Sequence, residues 1–149
     1  MPLKKTIERA KKDKAEGKSA STQAGEFIKE EIDIIRDGKH GARSAKQAIA
    51  IGLSKARRAG VDLKPPAEGK TSAKTRRSAQ LAYAKGQKDE PVSKTRSRAS
   101  VRALKKEGTA AASHTALSRQ AHSAAKKRTS AERSASARKA ARTRKKGKS

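Results

Sequence analysis

From Ala67 to Ser149 the chain carries 24 Lys and Arg residues against five acids, with Tyr83 as its only aromatic side chain. A segment so one-sided in charge and so poor in large apolar groups gains little from burial to offset the entropy lost on ordering. Residues 1–66 hold 16 basic and nine acidic side chains, so the net charge of +26 divides into +7 and +19. Only the first part has the charge balance of an ordinary folded surface. One Phe, one Tyr and no Trp among 149 residues, 36% of them charged, leave material for a small packed core and no more.

Other classes are excluded by what is missing. Without cysteine the chain forms no disulfide and offers no thiolate ligand or nucleophile. No apolar run approaches the roughly 18 residues of a membrane span, and Met1-Pro2-Leu3-Lys4-Lys5 enters charge rather than a signal-peptide core. The expectation is a soluble cytoplasmic protein.

The reading along the chain is mostly α. Residues 1–21 form a charged N-terminal helix, with Leu3, Ile7 and Ala10 as a narrow apolar strip, and a linker. Residues 22–64 form a helical hairpin. At 100° per residue Ala24, Phe27, Ile28, Ile32, Ile34 and Ile35 share one side of the first helix, while Glu26, Lys29, Glu30, Asp33 and Arg36 share the other. Gly38 or Gly41 ends that helix, and Ser44 with Gln47 has capping-box spacing for the next. In the second helix Ala45, Ala48, Ile49, Gly52, Leu53, Ala56 and Ala59 lie on one arc, and Gly52 lets the preceding helix approach closely. Val61 and Leu63 fold back on the pair before Pro65-Pro66 ends it.

Residues 65–149 are a basic Ala/Ser/Lys/Arg tail with imperfect repeats. Lys74 to Gly86 resembles Lys94 to Gly108, and a looser pattern returns at 117–128 and 132–144. Each unit has mainly Ala where a packed helix needs Leu or Ile, so the tail is expected to be largely disordered, or helical only on an anionic partner.

No catalytic, cofactor or metal constellation is expected. His40, His114 and His122 join no metal or catalytic cassette, and Asp37-Gly-Lys-His-Gly41 lacks P-loop spacing. Glu31 projects near the Phe27 side, where pairing with a cation of the next helix is favoured over acid catalysis. The signal is the distributed positive charge: separated cations can meet successive phosphates and release condensed counterions. Candidate contacts are Arg43, Lys46, Arg57 and Arg58 on the hairpin and Arg76, Arg77, Arg96, Arg98, Arg138 and Arg142 in the tail. The hairpin also resembles half of a helix-turn-helix, a reading no stronger than that of a solvated basic face.

Ser21 to Phe27 followed by Gly38 to Gly60 resembles a family of small, basic, poorly characterised bacterial proteins over roughly residues 1–66. The tail is similar in composition to bacterial histone-like and linker-histone-like tails. These resemblances imply a bacterial source rather than a mechanism.

The leading expectation is therefore a non-enzymatic, largely sequence-independent DNA-binding, nucleoid-associated protein. Double-stranded DNA is favoured because a tail with one aromatic offers no series of stacking platforms for single-stranded bases. An RNA-binding or ribosome-associated factor is the alternative. A second alternative is an interaction adaptor whose Phe27, Ile28, Ile35, Ile49 and Leu53 surface is covered by homo- or hetero-association.

Overall fold

The computed structural model describes residues 1–148, so the expectation for the tail lies outside the described residues at Ser149 alone. Among them are seven α-helices, one 3-10 turn and no strand: α1 (Lys4–Ala15), α2 (Ala20–Arg36), α3 (Ala45–Arg58), α4 (Ala73–Gln87), α5 (Lys94–Leu104), the 3-10 turn (Ala110–Ala112), α6 (His114–Lys126) and α7 (Ser130–Gly147).

The helix boundaries follow local chemistry. Ser19 and Ser44 accept hydrogen bonds from the backbone amides of Thr22 and Gln47, satisfying donors that a helix start leaves free. Gln47 reaches back to the amide of Arg43, at 2.6 Å, rather than to that of the cap residue itself. Gly38 and Gly60 take the left-handed backbone that ends α2 and α3, with φ of 72° and 91°. Gly41 serves close approach instead, because a Cβ built on it would stand 2.1 Å from the Glu107 carbonyl oxygen.

The core lies where α2 crosses α3. One cluster joins Ile32 and Ile35 of α2 to Ala42, Ala48, Ala111 and Ala112, flanked by Ile28 and Leu117. A second joins Phe27 and Ala24 of α2 to Ala10, Ala56 and Val61, flanked by Ile7, Ala20, Leu53 and Leu63. Gly52 acts as its sequence position suggests, since an added Cβ would lie 2.7 Å from the Ile28 Cα. The folding back of Val61 and Leu63 is likewise observed. Neither cluster is made by α2 and α3 alone, because α1 completes one and the 3-10 turn with α6 completes the other.

The expectation of a largely disordered or conditionally helical tail is corrected: residues beyond 65 form four α-helices and a 3-10 turn. Three physical causes account for this. Each helix has its own N-cap, with Ser72, Ser93, Ser113 and Thr129 accepting from the amides of Thr75, Arg96, Ala116 and Glu132. Alanine, small as it is, permits near contact of backbones, and Ala48 and Ala112 are both fully buried. Backbone hydrogen bonds then tie the halves together: the amides of Gly41 and Ala42 donate to the carbonyls of Leu104 and Gly108, and Arg36 Nε donates to that of Ala112 at 2.9 Å.

Glu30 corrects the polar face assigned to α2. It is 6% exposed, and its Oε1 accepts from the Leu3 amide at 2.9 Å, which anchors the start of α1.

The tail helices are not equally supported. No residue of α7 is buried, so its helicity rests on the Thr129/Glu132 capping box and on its alanines. The bond from the Thr129 amide holds the Glu132 carboxyl below its ordinary range. Native-state amide exchange should accordingly find strong protection in α2, α3 and α4 and orders of magnitude less in α7. Protection of α7 equal to that of α3 would contradict this hierarchy.

Candidate nucleic-acid interface

Charge is segregated by element. The helices α3, α4, α5 and α6 contain no acidic residue, and α7 contains only Glu132. The other acids beyond Ala67 sit in connections: Glu68 before α4, Asp89 and Glu90 after it, and Glu107 after α5. The Asp89 backbone has a φ of 52°, which serves the turn that ends α4. Exposed cations on α3 to α6 therefore face solvent without a carboxylate on their own element to neutralise them.

The ten candidate contacts divide by burial. Arg43 and Lys46 are exposed around the start of α3. At its other end Arg57 is turned inward, only 7% exposed, with Nε 3.0 Å from the Leu63 carbonyl oxygen and a terminal nitrogen 3.4 Å from that of Lys64. Burial lowers its pKa from the usual arginine range, and both carbonyls belong to the chain it folds back over α3. Arg58 is half-buried and reaches the carbonyls of Glu90 and Pro91, at 3.5 and 3.4 Å. These two arginines hold distant backbone in place, which sets them apart from cations displayed to solvent.

In α4 Arg77 is exposed, whereas Arg76 is half-buried with its Nε enclosed and unbonded to protein. Arg96 and Arg98 are exposed on α5, and Arg138 and Arg142 on α7. Arg138 Nε lies 3.4 Å from the Ser134 carbonyl oxygen, one turn back along its own helix. An 18-residue helix is about 27 Å long, and on α7 Arg133, Arg138, Lys139, Arg142, Arg144, Lys145 and Lys146 surround the axis rather than forming a stripe.

The structure adds a basic face that the sequence reading does not include. Arg119, His122, Ser123, Lys126 and Lys127 line a shallow depression along the outside of α6. The i, i+3, i+7 spacing of Arg119, His122 and Lys126 is the signal that sequence offers. It becomes meaningful only because Leu117, on another side of α6, packs against the core and directs the basic face outward.

The helix-turn-helix reading is not supported by the position of α3. That helix is packed by α2 on one side and by α4, α6 and the 3-10 turn elsewhere. A base-reading helix needs an open flank along its length. Tyr83 is also engaged: its hydroxyl donates to Asp62 Oδ1 at 2.6 Å, a bond that raises the phenol pKa. The one aromatic of the basic region thus secures α4 to the chain after α3.

Beneath the basic surface lies a buried charge cluster. Glu31 is fully enclosed, and its Oε2 accepts from Lys55 Nζ at 2.5 Å, as expected from its side of α2. His40 joins it: Nε2 is 3.1 Å from Glu31 Oε1, an ion-pair distance off the line of a directed hydrogen bond. The other ring nitrogen is 2.9 Å from the Gly41 carbonyl oxygen, which can only accept, so Nδ1 carries a hydrogen. Among the described residues no group of His, Asp and Glu is arranged to hold a metal ion, and no helix is long and apolar enough to cross a membrane.

No family model, curated protein or solved structure matches this chain.

Proposed function

We propose that this protein is a non-enzymatic, largely sequence-independent double-stranded DNA-binding protein, nucleoid-associated in a bacterial cytoplasm, that works through phosphate contacts. The observation that carries the proposal is the absence of acids from α3, α4, α5 and α6 combined with the exposure on them of Lys46, Arg77, Arg96, Arg98, Arg119 and Lys126. Such a surface attracts a polyanion over many separated points, and binding is driven by release of the counterions condensed on the duplex. The contacts best supported are Arg43, Lys46, Arg77, Arg96, Arg98, Arg138 and Arg142, joined by Arg119 and Lys126 of α6. Arg57 and Arg58 contribute by holding the helices in their arrangement.

Engagement of Tyr83 with Asp62 supports a duplex over single strands, because it leaves no free aromatic platform for an unstacked base. Less favoured is the adaptor reading, because of its five residues Phe27 and Ile35 are fully buried within the chain, Ile28 and Leu53 each pack against one of the two core clusters, and Ile49 is half-buried. The helical hairpin over residues 22–64 remains a proposal, supported by the packing of α2 against α3.

Fluorescence anisotropy on scrambled 30-base-pair duplexes tests the function. Affinity should be equal across sequences and fall steeply with salt. Joint replacement of Arg77, Arg96, Arg98, Arg138 and Arg142 by Gln should flatten the log-affinity against log-salt slope by about 0.9 for each phosphate no longer neutralised. An unchanged slope would remove these residues from the interface. Strong preference for a structured RNA competitor would assign the surface to RNA instead.

A further inference from the structure

The outward face of α4 combines an exposed large hydrophobic residue with a row of cations. Leu81 is 55% exposed, the most exposed large hydrophobic residue after Met1 and Leu3 at the chain start. At 100° per residue Lys74, Arg77, Lys85 and Lys88 fall within 40° of it, at positions −7, −4, +4 and +7. One apolar side chain therefore stands at the middle of a row of four cations, two on each side. The opposite face, with Ala79, Ala82 and Gly86, is buried.

We propose that Leu81 is a wedge that enters the minor groove of the bound duplex and partly unstacks a base step, while the flanking cations hold the phosphates on either side. The inference rests on the DNA-binding reading and adds a mode, DNA deformation. Cations one turn to either side of Leu81 are about 12 Å apart along the axis, and the minor groove of about 6 Å fits between them with its two phosphate walls. An inserted aliphatic side chain bends DNA toward the major groove, and a bent duplex brings more backbone to the neighbouring basic helices.

A wedge works only on a support that does not yield, and α4 has one. A Cβ placed on Gly86 would stand 1.7 Å from the Arg57 carbonyl oxygen, so the two backbones are in direct contact. Tyr83 bonds Asp62, Gln87 Nε2 donates to the Gly60 carbonyl at 3.4 Å, and Arg58 holds the backbone just beyond the helix. Pushing Leu81 against a base stack thus loads α3 and the core rather than a free helix.

The test is fluorescence resonance energy transfer across an end-labelled duplex of 30 base pairs, read beside anisotropy over a salt series. The full-length protein should bend the duplex by about 20–90°. Leu81→Ala should remove more than half of the bend and weaken binding by about tenfold, the effect of removing one buried leucine side chain, with the salt slope unchanged. Leu81→Met should retain the bend. Joint replacement of Lys74, Arg77, Lys85 and Lys88 by Gln should flatten the slope by about 0.9 per phosphate, whereas Arg119→Gln with Lys126→Gln should flatten it without altering the bend of the remaining complex. Duplex binding with no bend, or a bend unaltered in Leu81→Ala, overturns the wedge and leaves the phosphate-contact reading standing. A Leu81→Ala change in sedimentation instead of bending makes this a protein contact and also overturns it. Failure of the full-length protein to bind any duplex at low salt overturns both.

Discussion

Gly86→Ala is expected to separate α4 from α3 and to destabilise the protein by about 3 kcal/mol, the upper range for overpacking. The added methyl would meet the Arg57 carbonyl oxygen at 1.7 Å and its carbonyl carbon at 2.8 Å. Both are backbone atoms, so no rotamer change can relieve the clash. Alanine is the better helix former by up to about 1 kcal/mol, which works against the expected loss and makes its sign informative. Urea unfolding followed by circular dichroism measures it. Displacement of α4 would also weaken the Tyr83–Asp62 bond, visible as faster exchange of the α4 amides. A variant as stable as the parent would mean that the two backbones are not in contact in solution.

Glu31→Ala should cost about 3–5 kcal/mol, the range for breaking a buried ion pair by removing one partner. The carboxylate is wholly enclosed, and the substitution leaves Lys55 and His40 facing each other without their shared anion. The loss concerns the assembly of the whole chain. His40 belongs to the connection whose next two residues, Gly41 and Ala42, bond the end of α5 and its following turn. Pairing Glu31→Leu with Lys55→Met separates charge from packing: removing both charges should recover a large part of the loss, since apolar replacement of a buried pair is often near neutral. If Glu31→Ala alone costs less than about 1 kcal/mol, within the range of an exposed pair, the cluster is not buried as described.

Much of the helical architecture is legible in local sequence because its causes are local. The apolar stripe of α2, the caps Ser44 and Gly60, and the role of Gly52 require only helical periodicity and the conformational habits of Ser and Gly. The pairing of Glu31 with a cation of α3 is legible for the same reason, from the side of α2 on which it falls. The distributed positive charge needs no structure at all.

Three-dimensional packing accounts for the rest. The basic half reads as disordered when large hydrophobic residues are the measure of a core, yet Ala111 and Ala112 close the Ile32/Ile35 cluster because small side chains let backbones meet. Tertiary contacts alone turn Arg57 inward, give Arg58 two distant carbonyls, and bring His40 to Glu31. That the chain is helical and strongly cationic follows from the order of its residues, since helical period and charge are sums over neighbours. Which cations face solvent, and that Leu81 stands exposed among four of them, follows only from how the helices pack, because burial depends on residues far away in the chain.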